Sequence, residues 1–233
     1  MKKFNVYKSN NKFVERIFLA SAIILFATYF FSKANSTFLC FSIIFLLLTL
    51  LSWLRNCFLR NRLFKEFIDS IELFDNSKIL DLGSGNGDVI IRLASRLTMF
   101  SNVSIFAVED IYQTDNDFMY NALNNRVRYR IELSHKDIRK LDYDEESFDI
   151  ITASNNENSL LNSHKKSDYK SICKEINRLL KPGGIAYIFN NKYTSKKMAN
   201  EFINQDNKVF FYDYKFQPLY GVKIFSVEKK NSE

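Results

Sequence analysis

Two long runs without a single charge open the chain. Ile17–Ser32 reads IFLASAIILFATYFFS and Ala34–Leu54 reads ANSTFLCFSIIFLLLTLLSWL, with only Lys33 between them. Neither run has the polar face of an ordinary surface helix. A helix that crosses a bilayer needs roughly 20 apolar residues, with a range of about 17–25. The second run has that length. The first reaches it if Arg16 and Lys33 extend their stems toward the head groups. The pattern predicts a helical membrane hairpin, with spans about 17–32 and 37–54, turned by the polar stretch SKANS. A signal peptide, with Lys2 and Lys3 as its basic start, and a pair of buried core helices are the other two readings. The long stretch before the first run, and the second run directly behind it, weigh against the signal peptide.

From Ser77 onward the period alternates between strand-like and helix-like. KILDLG predicts a short strand, GDVIIRLASRL a helix, SIFAVED a second strand, DNDFMYNALNN a helix and RVRYRIEL a third strand. FDIITAS, 148–154, is continuously apolar, as expected of a parallel strand buried on both faces. SDYKSICKEINRLL is an amphipathic helix stopped by Lys181-Pro182-Gly183-Gly184, and GIAYIFN is the next strand. A helix near 194–204 leads to two final strands, KVFFYDYKF and YGVKIFSVEK, close enough in sequence to pair antiparallel. The alternation implies an α/β sheet wrapped by helices on both faces. Three parts follow: the hairpin 1–54, a basic linker helix 55–76 suited to lie along anionic head groups, and an α/β domain 77–233.

Charge sharpens this division. Residues 1–65 hold ten Lys/Arg and one acid, Glu15, a net +9; the remaining residues carry −2. The bases flank the apolar runs, so the positive-inside rule places both ends of the hairpin, and the α/β domain with them, in the cytoplasm. The chain is thus expected to be a multi-pass membrane protein whose residues 17–54 meet the lipid bilayer. A nucleic-acid binder carries its basic stripe on the binding domain, and this near-neutral domain argues against such a partner. The three cysteines are widely spaced, with no CxxC pair and no metal-ligand spacing.

The chemistry concentrates in ILDLGSGNGD, Ile79–Asp88. In open α/β sheets ligands bind beyond the carboxyl ends of the strands, where strand order reverses. Glycines after such a strand let a ligand approach the backbone. The spacing here is G-x-G-x-G at Gly83, Gly85 and Gly87, not the G-x-G-x-x-G of a dinucleotide fold, and no Lys-Ser/Thr follows as in a phosphate-cradling loop. Asp81 would repel a phosphate and suits a ligand with an ammonium group. Glu109 ends the second strand about 20 residues on, the position from which an acid accepts ribose hydroxyls. A nucleoside with a zwitterionic tail satisfies both acids, and S-adenosylmethionine is such a ligand.

With these stretches the chain resembles the class I S-adenosylmethionine-dependent methyltransferases from Phe64 to Lys229. ILDLGSGNGD resembles the family's cofactor loop, and FAVED the acidic end of its second strand. HKDIRKLDYDEESFDIITAS resembles its Asp-containing turn and fourth strand, and EINRLLKPGGIAYIF the following helix, turn and fifth strand. The last two are typical of the small-molecule group that includes quinone and sterol methyltransferases. The resemblance implies a Rossmann-like, seven-stranded, mostly parallel sheet with an antiparallel last strand, here preceded by two transmembrane helices. It implies that Asp81, Gly83, Ser84, Gly85 and Gly87 hold the methionine part and Glu109 the ribose, with Asp110 as the second choice. Asp137 would accept from the adenine amino group beside the backbone N–H of Ile138, and Ser154 closes the cofactor set.

The acceptor pocket is expected beyond the fourth strand, at Asn155 and Asn156. This is not the Asn/Asp-Pro-Pro-Tyr motif of members that methylate adenine or glutamine amides, which counts against those substrates. His164 is the available base if the acceptor holds a proton, but no catalytic residue is assigned. The expected function is a membrane-anchored methyltransferase acting on a lipid, quinone, membrane protein or small molecule. The alternative is a non-catalytic membrane adaptor that uses the same domain to bind a partner. Oligomeric state is not legible.

Overall fold

The computed structural model describes residues 12–32, 36–54, 60–97, 102–109, 116–154, 161, 166–214 and 222–231. The described residues divide into two units, one up to Arg62 and the other from Leu63 onward.

The smaller unit is a pair of helices, α1 (Lys12–Ser32) and α2 (Ser36–Leu54), that pack along each other. Ser42 Oγ donates to Ala22 O at 3.0 Å where the two small residues let the backbones approach, and both are buried. Thr28 and Thr49 return their hydroxyls to the carbonyls of Leu25 and Phe45 in their own helices. The polar groups thus bond inward while Ile24, Phe30 and Leu51 stand outward. Among the described residues no helix is long and apolar enough to cross a membrane. The expected transmembrane helices therefore do not follow from the structure.

The larger unit begins within α3 (Arg60–Asp69) and continues as β1 (Lys78–Leu82), α4 (Ile90–Arg96), β2 (Ser104–Glu109), α5 (Asn116–Asn124) and β3 (Ile131–His135). Then come β4 (Phe148–Ser154), α6 (Lys166–Leu179), β5 (Leu180–Asn191), α7 (Lys192–Asn204), β6 (Lys208–Tyr212) and β7 (Val222–Glu228). The seven strands form one sheet in the order β3-β2-β1-β4-β5-β7-β6. The first five are parallel; β7 runs antiparallel to both β5 and β6.

Successive strand residues alternate between two cores. Ile79, Ile105, Ile150 and Phe189 face α3, α4 and α5, while Leu80, Leu82, Ile151 and Ile188 face α6 and α7. Both faces of β1 are covered, so its apolar run is unbroken except at Asp81.

Three local features differ from the sequence pattern. RVRYRIEL does not begin as strand: Arg126 has φ +58° and Arg128–Arg130 form a 3-10 turn, so β3 starts at Ile131. Lys181–Gly184 ends α6 but lies inside β5 as a bulge, because Leu180 already pairs with Phe148 and the register resumes at Ile185↔Ile150. A Cβ on Gly184 would meet the carbonyl oxygens of Lys181 at 2.9 Å and Asp149 at 3.1 Å, so this close approach admits only glycine. The helix expected to lie on head groups instead packs on the sheet. Leu63, Phe64, Phe67 and Ile68 of α3 are buried, and the Phe64 ring stacks on Phe189 at 4.8 Å.

Phe67 sits 1% exposed between Tyr187 and Phe189. Phe67→Ala is expected to destabilise the α/β unit by about 3–5 kcal/mol, the usual cost of deleting a buried aromatic. Urea unfolding followed by tyrosine fluorescence measures this; a loss below about 1 kcal/mol would mean that α3 is not part of the core.

Candidate cofactor site at the carboxyl end of the sheet

Strand order reverses between β1 and β4, and the two strands end side by side there, with Asp81 level with Thr152 and Leu82 level with Ala153. The glycine loop leaves β1 at this point. Gly83, Gly85 and Gly87 all have positive φ, 68°, 55° and 80°. Gly83 N–H donates to Val108 O at 2.8 Å, which pins the loop to the end of β2. At Gly87 the requirement is also steric, since a Cβ there would meet Ile91 Cδ1 at 2.3 Å. Asn121 Nδ2 of α5 holds the loop from the other side through Asn86 O at 2.8 Å.

Asp81 has no exposure to solvent. Its Oδ1 accepts from Thr152 Oγ1 at 2.6 Å. Its Oδ2 is buried and has no hydrogen-bond partner. Burial pushes the Asp81 carboxyl up to about 7, opposed by the Thr152 and Ser84 hydroxyls and assisted by the nearby Glu109 charge. A half-satisfied carboxylate in a dry site is costly. An incoming ammonium offers both the missing donor and the missing charge.

Glu109 is also buried, and its Oε2 accepts the Gly85 N–H. The predicted ribose acid therefore already touches the predicted methionine loop. His135 lies level with Glu109 on the neighbouring strand β3 and is half-buried. Asp88, at the loop's end, forms a buried ion pair with Arg92 at 4.0 Å.

The adenine turn is arranged differently from expectation. Ile138 is buried in the α6-side core, which fixes the turn. Asp137, however, is gripped by Arg139: Nε reaches Oδ1 at 2.9 Å and Nη2 reaches Oδ2 at 2.7 Å. That guanidinium holds the Asp137 carboxyl below its ordinary value. Arg139 Nη1 also reaches Asp168 in the first turn of α6 at 3.4 Å. Any adenine amino group must share Asp137 with this pair. Behind the turn, Glu175 accepts the Leu141 N–H at 2.7 Å, and Arg178 donates to the carbonyls of Tyr143 and Leu141. An otherwise irregular segment is thereby fixed.

Asp81, Gly83, Ser84, Gly85, Gly87 and Glu109 are thus brought together. Asp137 and Ile138 follow the carboxyl end of β3, and Ser154 ends β4 at the same edge, with β2 and β1 between the two strands. Asp110, Asn155, Asn156 and His164 lie outside the described residues. Sequence reasoning missed Thr152 and Arg139. Thr152 was visible as the one hydroxyl inside the apolar FDIITA. Arg139 gave no signal, because a basic residue two positions from an acid in a turn is ordinarily solvated.

Residues 79–184 match the family model described as a methyltransferase domain. The chain is 30% identical over 124 residues to 27-O-demethylrifamycin SV methyltransferase of Amycolatopsis mediterranei, covering 53% of this chain and 42% of that one. It is 25% identical over 175 residues to demethylmenaquinone methyltransferase of Staphylococcus epidermidis, covering 72% and 63%. The chain thus spans about two-fifths to two-thirds of these relatives. Among solved structures, precorrin-6y C5,15-methyltransferase from Geobacter metallireducens has a TM-score of 0.56 at 18% identity, with 72% of this chain and 88% of that one covered. A cyclase, SpnF, shares the fold equally well, at a TM-score of 0.56 and 16% identity over 74% and 81% of the chains. Likeness at that level speaks for the fold alone. The family match over residues 79–184, the strand order and the residues of the loop agree, and the fold of the larger unit is that of the class I methyltransferases.

Proposed function

We propose that this chain is a membrane-tethered methyltransferase that binds S-adenosylmethionine at the β1–β4 reversal and serves an acceptor held in or at the bilayer. The buried, unpartnered Oδ2 of Asp81 is the observation that carries the cofactor reading. Asp81 and the loop Gly83–Gly87 with Ser84 would hold the amino-acid tail, Glu109 the ribose, and Asp137 with the Ile138 backbone the adenine. Ser154 would border the acceptor side. The cofactor supplies an electrophilic methyl on a good leaving group, so the protein's task is mainly to bind and align.

The membrane reading rests on charge and apolarity. Ile17–Ser32 and Ala34–Leu54 are uncharged, and bases flank them on the outer sides. The outward side chains of α1 and α2 are large and apolar. A tether of this kind raises the local concentration of lipids, quinones and membrane proteins. The demethylmenaquinone methyltransferase relative makes a quinone-like acceptor the first to try.

The full-length protein in detergent is expected to bind S-adenosylmethionine with micromolar affinity, about −8 kcal/mol. Asp81→Ala and Glu109→Ala are each expected to cost about 1.5–3 kcal/mol, the worth of a charge-assisted hydrogen bond. Titration calorimetry measures both, and a folded wild-type protein that gives no heat would end the cofactor reading.

The raised Asp81 fixes a pH dependence. The ammonium needs the ionised carboxylate, so affinity is expected to rise between pH 5 and about 7, with a proton released on binding. The empty protein behaves oppositely. Its folded Asp81 keeps a proton that the unfolded chain has lost, so stability falls as pH rises from 3.8 through about 7. Asp81→Asn should flatten both curves. A wild-type affinity unchanged over this range would show that Asp81 does not receive the ammonium.

For the tether, a reporter active only in the cytoplasm should work at either terminus and fail when inserted at Asn35. Release of the full protein by carbonate without detergent would exclude the hairpin.

A further inference from the structure

The lysines of α7 sit where they do not help the helix. Lys192, Lys196 and Lys197 lie in its first two turns, and the first turn has no acid. Positive charge is unfavourable at a helix N-terminus, because the backbone dipole is positive there. A local choice that opposes stability calls for another role. The α/β unit as a whole is near neutral, so these bases are a local concentration rather than a general trend.

Their position is specific. α7 follows β5, whose Asn191 pairs with Val222 at the carboxyl edge of the parallel strands, the edge that also carries the glycine loop. Tyr193 is 61% exposed, with Lys197 Nζ 3.9 Å from its ring centroid. Ser195 Oγ donates to Lys223 O at 2.7 Å and ties the start of α7 to β7. Lys223 Nζ stands 5.6 Å from the ring of Phe211, which is half exposed on the edge strand β6. Lysines interleaved with exposed aromatic rings match the two layers of a bilayer surface. The rings reach the head-group region, and the ammonium groups meet lipid phosphates. Among the described residues, Asp213 is paired with Lys223 at 2.5 Å and Glu201 with Lys170 at 3.6 Å.

We infer that this rim, centred on Lys192, Tyr193, Lys196 and Lys197 with Phe211 beside it, docks on an anionic lipid surface and turns the cofactor edge toward the bilayer. The inference deepens the membrane-acceptor reading and rests on it. The hairpin gives proximity; the rim gives orientation. An acceptor in the bilayer would then approach from the side where the sheet binds its cofactor.

The single tryptophan of the chain makes the two claims separable. Wild-type protein, whose Trp53 lies in α2, reports on the hairpin. The double variant Trp53→Phe/Tyr193→Trp moves the fluorophore to the rim. Both are reconstituted full-length in vesicles containing brominated lipid. The vesicles are either neutral phosphatidylcholine or one-third phosphatidylglycerol. The rim fluorophore of the double variant is expected to be quenched in the anionic vesicles only. The quenching should vanish in 0.5 M salt, where the screening length falls to a few ångströms. It should also vanish when Lys192, Lys196 and Lys197 are changed to Gln, with S-adenosylhomocysteine affinity unchanged. Trp53 quenched in both lipids, with the rim fluorophore quenched in neither, would overturn the docking surface and leave the tether standing. Quenching at neither position would overturn both. Equal quenching of the rim fluorophore in neutral lipid, or its response to polyuridylate without lipid, would assign the rim to another partner and overturn the inference.

Discussion

A carboxyl group with no access to water occupies the central strand, and the site is organised around its cost. Asp81 is flanked by β2 and β4 and covered on both faces of the sheet, so water cannot solvate it. Only Thr152 serves it fully, and one oxygen is left over. An unpaired buried charge is expensive, and the group answers by keeping its proton to about pH 7. The cooperative core of two helical layers on a seven-stranded sheet supplies the stability against which this defect is held. A cationic ligand group would relieve the defect, since it brings both the donor and the opposite charge that the ionised carboxylate lacks.

The loop around Asp81 shows how the sheet keeps such a site ready. Its backbone is fastened to β2 by Gly83 and to α5 by Asn121, and Glu109 takes the Gly85 N–H. These bonds satisfy loop donors that would otherwise stand open. They also make the two acids neighbours, so the Glu109 charge raises the cost of ionising Asp81. Further along the edge, Glu175 and Arg178 of α6 hold the segment after Ile138 by its backbone. The motif EINRLLKPGG thus works through its Glu and Arg as well as its glycines. A helix on one face of the sheet sets the shape of a turn at its end.

Much of this was legible in the sequence because it is local. The strand KILDL, the loop after it and the acid ending β2 are read from neighbouring residues, and a buried parallel strand announces itself by an unbroken apolar run. What failed to show depends on distant partners. Lys181–Gly184 reads as a helix stop, and only the pairing of Leu180 with Phe148 makes it a bulge inside β5. The tyrosine and valine of RVRYRIEL alternate as in a strand, yet the positive φ of Arg126 turns the chain before β3 can begin. Asp137 reads as a free acceptor until Arg139 is seen folding back on it across two residues.

The contrast between α3 and the first two helices carries the argument for the bilayer. All three contain Leu, Ile and Phe, but half of α3 is charged whereas α2 has no charge at all. In α3 these residues fall on one stripe, and Leu63, Phe64, Phe67 and Ile68 vanish under the sheet, leaving its charges outside. In α1, Ile23, Phe26 and Phe30 share one face and Ile24 lies about 100° from it, and all are more than half exposed. A second helix covers only one side of such a surface. In α2, Phe41, Leu47, Leu50 and Leu51 are likewise half exposed or more. Leaving one such side chain in water forgoes about 1.5–3 kcal/mol. Among the described residues this two-helix unit has no third element of its own to recover that energy. Lipid would cover the whole circumference without requiring a complementary face, and it is the covering that the proposed tether supplies.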